Sequence, residues 1–234
     1  TVAIGGFSTH DQSFQYFDLT SIKLVAIFFM IVSGVNFALH FSVLKRRNPF
    51  LYLADAEVRT YFLVLLLVSL FLVVVFQFRQ SDSDADYIDH LFQAVSFATT
   101  TGFVSSELHL WPPIAQVVLI LAAFAGGCAG STAGGIKIIR VLTIWRQGAR
   151  EIKRLVHPNG VFHVKVGGRP VSEPVLNSIW SFISVYIFLF FFSIVLIMTV
   201  SELDFLTSFS AVSASLNNLG PGLGMVGKSY EDIS

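Results

Sequence analysis

From Val175 to Val200 the chain runs without one charged side chain, and Phe188, Phe190, Phe191 and Phe192 crowd its centre. A helix of that length crosses the roughly 30 Å hydrocarbon core of a bilayer, for which about 20 apolar residues suffice. Tyr61–Phe78, bracketed by Arg59 and Arg79, is a second such stretch, and Ile22–Leu44, ending at Lys45-Arg46-Arg47, a third. The third is interrupted mildly by Ser33, Gly34, Asn36 and His40 and is expected to cross as one span. Only 13% of the 234 residues are charged, about half the share of a soluble domain. The net charge is zero, which excludes a simple nucleic-acid binder. Cys128 is the only cysteine, so neither an intrachain disulfide nor a CxxC metal site is available.

The remaining apolar stretches are too short to cross. Leu91–Ala98 is followed by Thr99-Thr100-Thr101-Gly102-Phe103, and Phe205–Ser215 by Asn217-Asn218-Leu219-Gly220-Pro221-Gly222. Both read as re-entrant helices that end on a glycine tip. Phe92-Gln-Ala-Val-Ser and Phe209-Ser-Ala-Val-Ser match at four of five positions, and Ile4-Gly5-Gly6-Phe7 parallels Thr100-Thr101-Gly102-Phe103. The unit is span, short helix, glycine tip, span, and its repetition defines the architecture. One register question stays open: aligning the shared pentapeptides without a gap sets Leu219, not Gly220, opposite Gly102. The chain opens on Thr1 and stops soon after a Gly/Pro-rich stretch, so it reads as an internal piece of a longer protein, with a further tip expected before Thr1.

Charge sets the orientation. Residues 45–59 and 137–173 fall on one side of the membrane and hold twelve of the fifteen Lys and Arg but four of the fifteen acids. The local balance is +8 there and −8 opposite, so the basic side is expected to be cytoplasmic and the tips to enter from outside.

Non-helical backbone at membrane depth survives only where protein buries it or where it lines a watery cavity. Glycine permits positive φ, which lets successive carbonyls face an axis and replace the hydration shell of an alkali cation. Ordinary glycine turns at helix ends are the plainer reading of any one tip, but three tips on one side favour a carbonyl-lined pore. A further apolar stretch, Ile114–Ala125, is only about two-thirds of a span and breaks into Gly126-Gly-Cys-Ala-Gly-Ser-Thr-Ala-Gly-Gly135. Three readings of this segment compete: small-residue helix contacts at Gly126, Gly130 and Gly134, a phosphate loop spoiled by the late position of Lys137, and a flexible gate. The gate reading takes in Gly126, Gly127, Gly130, Ser131, Thr132, Gly134 and Gly135. Lys137 and Arg140 either snorkel toward the cytoplasm or restrain that loop.

Asp82, Asp84 and Asp86 imitate the start of an EF-hand, but Tyr87 stands where glycine is required and Gln93 where the closing glutamate belongs, so this is read as a solvated acidic loop. The six histidines show no ligand spacing. A proton- or sodium-coupled symporter would need an ionisable group at mid-membrane, and 61–78 and 175–200 offer none. An intramembrane hydrolase using Ser131 lacks a base at plausible spacing. The expected fold is an all-α polytopic membrane protein, divided into 1–59, 60–173 and 174–234, of which the middle part is one complete helix–pore-loop–helix repeat.

These motifs, with Lys153-Arg-Leu-Val-His-Pro158 and Leu216-Asn-Asn-Leu-Gly-Pro-Gly-Leu-Gly224, resemble the Trk/Ktr/HKT superfamily of potassium transporters across the whole chain. The similarity is greatest to the TrkH family of bacterial uptake subunits. The resemblance implies four repeats around one pore, with filter positions at Ile4, Gly5 and Gly6, at Thr100, Thr101 and Gly102, and at Asn218, Leu219 and Gly220. It implies potassium as the transported ion, no cofactor, no enzymatic activity, a bacterial inner-membrane location, and an intramembrane loop obstructing the pore at 126–135. It further implies lipid contacts, a homodimer, and a cytosolic nucleotide-binding regulatory subunit of the TrkA type docked on the basic face.

Overall fold

The computed structural model describes residues 1–10, 12–17, 19–79 and 86–227. Asp82 and Asp84 of the acidic loop lie outside them. Nine α-helices, three short 3-10 helices and one small hairpin make up the regular structure among the described residues.

The expected single span at Ile22–Leu44 is instead two helices, α1 (Thr20–Ser33) and α2 (Phe37–Arg46), bent by 93°. Three causes meet at the break. The Asn36 side chain caps α2 by accepting the Ala38 N–H at 2.8 Å. A Cβ on Gly34 would run into the Tyr61 hydroxyl, which itself donates to the Ile31 carbonyl at 3.1 Å. The carbonyls freed at Ser33 and Gly34 accept the Thr132 and Cys128 N–H groups at 3.4 and 2.8 Å, which satisfies them within the protein.

After the short α3 (Phe50–Ala54), Asp55 caps α4 (Ala56–Arg79) by accepting the Glu57 and Val58 N–H groups. The helix is apolar on every side. Tyr61, Leu65, Leu72 and Phe76 point into the protein, while Leu63, Leu66, Leu67 and Leu70 face outward. That pattern belongs to a membrane span rather than a surface helix. Helix α5 (Tyr87–Ala98) is the most enclosed element, held between α1, α4 and the later α6 (Pro113–Ala125). Phe92, Gln93, Ala94, Val95, Ser96 and Phe97 are all buried, which keeps its polar side chains against protein rather than lipid. An ion pair between Lys23 and Asp89 at 2.6 Å fixes α1 to the first turn of α5.

Helix α7 (Ile138–Val156) carries the basic stretch and meets a hairpin absent from the all-α expectation, β1 (Lys165–Val166) and β2 (Arg169–Pro170). Its turn is Gly167–Gly168, both at positive φ, with Val166 opposite Arg169. The long apolar stretch forms α8 (Glu173–Ser201), entered through Pro174 in its first turn. Phe190 and Ile194 pack on Val212 of α9 (Phe205–Leu216), while Phe188, Phe191 and Phe192 stay exposed. Both α4 and α8 are long and apolar enough to cross a membrane, and the bent pair α1–α2 makes a third candidate.

Candidate functional site

The three glycine tips converge. Helices α5 and α9 each run 12 residues from an aspartate cap, Asp86 and Asp204, and each ends in the same chain path. The N–H groups of Thr101 and Leu219 both reach back 2.8 Å to the helix, at Ser96 and Ala214. The residue before each sits in the left-handed region, Thr100 at φ 55° and Asn218 at 52°, and Ile4 takes the same position in the first tip at 44°. Gly6, Gly102 and Gly220 follow two residues later at 72°, 79° and 102°.

This settles the register in favour of Gly220. Leu219 is the counterpart of Thr101, and the shared Phe-x-Ala-Val-Ser pentapeptides lie one residue out of step. The aspartate caps and the helix length set the depth of each tip, and similarity along the buried helix does not.

Each glycine abuts a neighbouring tip's carbonyl. A Cβ on Gly102 would collide with the Leu219 oxygen, one on Gly220 would meet the Gly5 oxygen at 2.6 Å, and one on Gly6 the Gly102 oxygen at 2.8 Å. The Gly6 N–H also donates to the Thr101 carbonyl at 2.7 Å. Outside the tips lies a cavity of about 990 Å³ bordered by Gly6, Gly102, Gly220, Gln12, Glu107 and Gln116.

Side chains behind the tips hold them in place. The Ser96 hydroxyl donates to the Phe103 carbonyl at 2.7 Å, and the Thr99 hydroxyl to Val95 at 2.7 Å. Behind the third tip, the Tyr186 hydroxyl donates to the Asn217 side-chain oxygen at 2.9 Å, while the Asn217 amide donates to the Ser213 carbonyl at 2.8 Å. Neither Asn217 nor Tyr186 is visible as a site residue in sequence, because the pair is formed between two helices.

The Gly126–Gly135 segment folds as an irregular loop directly against these tips. The Gly134 N–H donates to the Thr100 hydroxyl at 2.6 Å, and a Cβ on Gly134 would collide with the Asn217 carbonyl oxygen. On its other side the loop is tied to the break in the bent span: Cys128 to Gly34, Thr132 to Ser33, and the Phe37 N–H to the Gly130 carbonyl at 3.0 Å. Ser131 caps inward, donating to the Cys128 carbonyl at 2.5 Å. Gly126, Gly130 and Gly135 adopt positive φ, and Gly127 is hemmed by Ala133 and the Gly34 carbonyl. The geometry matches neither a phosphate loop nor two helices in small-residue contact.

Lys137 and Arg140 turn back onto the loop. The Lys137 ammonium donates to the Ala133 carbonyl, and the Arg140 guanidinium donates to Ile136 at 3.1 Å while lying 4.0 Å over the Phe182 ring. Glu57 is the anchor that sequence reading missed. Its carboxylate is buried and accepts the Ala129 N–H at 2.6 Å and the Ile139 N–H at 3.2 Å, which joins the loop to the start of α7. The available signal was one acid just inside an apolar span. Glu57→Ala leaves both donors without an acceptor and is expected to cost about 2–3 kcal/mol. Thermal unfolding in detergent checks it, with Glu57→Gln recovering part of the loss.

The basic face forms a cavity of about 450 Å³ between α7 and the hairpin, bordered by Arg146, Arg150, Lys153, His163 and Lys165. Arg150 is compensated there by Glu151 and Glu173 at 2.8 and 2.9 Å.

With that geometry established, comparison with known proteins adds the lineage. The family model described as "TrkH: Cation transport protein" matches residues 1–234. The Trk system potassium uptake protein TrkH of Salmonella typhimurium is 43% identical over 236 residues, covering 100% of this chain and 49% of the relative. TrkI of Halomonas elongata is 31% identical and covers 96% of the chain and 45% of the relative. The crystal structure of the potassium transporter TrkH from Vibrio parahaemolyticus superposes with a TM-score of 0.92 at 41% identity, covering 99% of this chain and 50% of that one. The chain therefore spans about half the length of the relatives it matches. By the family model and by these identities, the chain belongs to the TrkH family of cation transport proteins.

Proposed function

We propose that this chain forms part of a potassium-uptake pathway in a bacterial inner membrane, with the three tips as walls of a selectivity filter and residues 126–135 as its gate. One observation carries the reading: Ile4, Thr100 and Asn218 share the left-handed conformation, with Gly6, Gly102 and Gly220 two residues on, in tips that touch one another. Such a pattern turns backbone oxygens toward a common locus, and oxygens so placed can replace water around an alkali cation. The relatives' names, which specify potassium uptake, support the choice of ion. Potassium is then the cargo, no cofactor is needed, and the chain acts as a conduit rather than an enzyme.

Residues 60–173 are read as one repeat, with 1–59 and 174–234 as parts of its neighbours. The excess of Lys and Arg on the α7 side supports a cytoplasmic position for that face. Its basic cavity suits a cytosolic regulatory subunit of the TrkA type, and a homodimer in the bilayer is the assembly the family resemblance implies. The test is flux. In vesicles holding the full chain, rubidium should enter in preference to sodium and lithium. Equal entry of all three would overturn the reading, and a reversal potential that follows pH or sodium would replace a passive pathway with a coupled one.

A further inference from the structure

We infer that the Gly134 peptide closes the pathway by standing in for a cation, so that potassium and the loop compete for the same oxygens. The inference rests on the reading of the tips as a filter and of 126–135 as a gate, and it adds an inner cation site.

Oxygens from two different tips meet at this one residue. The Thr100 hydroxyl oxygen accepts the Gly134 N–H at 2.6 Å, and the Asn217 carbonyl oxygen lies so close to the Gly134 Cα that no Cβ fits between them. Both Thr100 and Asn217 are fully buried. A peptide N–H carries partial positive charge and is an obligatory donor once water is removed. In the closed arrangement it therefore satisfies an oxygen that would otherwise face an empty low-dielectric space. A partly dehydrated alkali cation makes the same demand on the same atoms.

The neighbouring hydroxyls are committed elsewhere. Thr99 Oγ1 donates to the Val95 carbonyl and lies 2.8 Å from the Thr101 hydroxyl, so of the three threonines Thr100 alone turns its oxygen to the loop. The other anchors of the loop include Gly34, Ser33, Phe37, Phe124 and Glu57, on the side away from the tips. Among the described residues one hydrogen bond thus joins loop and tips. Glycine at 134 follows from the same geometry, since any side chain would hold the N–H off the site.

A competition of this kind makes loop closure depend on the ion. Cys128 lies fully buried in the loop and reports its displacement without any engineered probe. In vesicles holding the full chain, the rate at which a maleimide labels Cys128, read by mass spectrometry of that peptide, should rise with potassium over choline. The expected rise is about three- to tenfold, the factor that one net hydrogen bond represents. Thr100→Val removes the oxygen while keeping the shape, so it should raise labelling in choline and abolish the potassium response. Thr100→Ser keeps the oxygen and should retain the response, which separates loss of the oxygen from misfolding. Labelling of a flux-competent protein that ignores potassium, or a full potassium response in Thr100→Val, would overturn the inference alone. Absence of rubidium flux would instead overturn the filter reading beneath it.

Discussion

Gly102→Ala is expected to cut rubidium entry and its preference over sodium by roughly tenfold or more, given the 1–3 kcal/mol that overpacking typically costs. Two effects add at this residue. Its φ of 79° lies where a Cβ meets the following carbonyl, a cost of roughly 1–2 kcal/mol. The added carbon would also strike the Leu219 carbonyl oxygen and lie 3.0 Å from the Gly6 nitrogen. Both obstacles are backbone, so no side-chain rotation relieves the contact and a neighbouring tip must shift. A shift of a few tenths of an ångström is enough to mis-set oxygens that coordinate an ion. The flux ratio of rubidium to sodium in vesicles is the measurement. Gly148→Ala is the control: that glycine lies within α7, has nothing within 4 Å of an added Cβ, and the change should stabilise the helix by about 0.5–1 kcal/mol. Unchanged selectivity in Gly102→Ala would remove the second tip from the filter.

Gly134→Ala should do the opposite and raise basal flux, by about tenfold if the contact costs the 1–3 kcal/mol usual for overpacking. Gly134 is not among the glycines at positive φ, so backbone strain does not confuse the result. The effect comes from contact alone, a methyl group driven into the Asn217 carbonyl, with the Thr100 hydroxyl 3.2 Å away. The third tip is braced by Tyr186 through Asn217, whereas the loop meets the tips through one hydrogen bond, so the loop gives way. Rubidium entry without any regulatory subunit measures it. Gly126→Ala provides an independent route to the same outcome, because its Cβ would collide with the Gly134 carbonyl from the other side. Flux at the unmodified level in both variants would show that the segment does not limit permeation.

Much of this was legible in the sequence because it depends on local quantities. Length and apolarity alone set the two unbroken spans, α4 and α8. The glycine tips were legible because the positive φ four residues past each helix end, at Gly102 and Gly220, leaves few alternatives to glycine. The small-residue run at 126–135 announced irregular backbone inside an apolar stretch.

Other features wait on partners remote in the chain. The 93° bend in the first span depends on Thr132 accepting no local role and bonding instead to Ser33, and on Tyr61 filling the space beside Gly34. Nothing in Ile22–Leu44 by itself requires it. The tip register stayed open in the sequence, since Phe-x-Ala-Val-Ser repeats the composition of a buried helix while the aspartate caps fix its depth. Glu57 looked like one acid among the basic residues, and only the folded chain brings the Ala129 and Ile139 N–H groups to its carboxylate. Thus the sequence determined which segments enter the membrane and where backbone must leave the helix. The tertiary structure decided which oxygens and N–H groups meet there, because each such pair must be closed within the protein once water is absent, and its two halves lie on different elements.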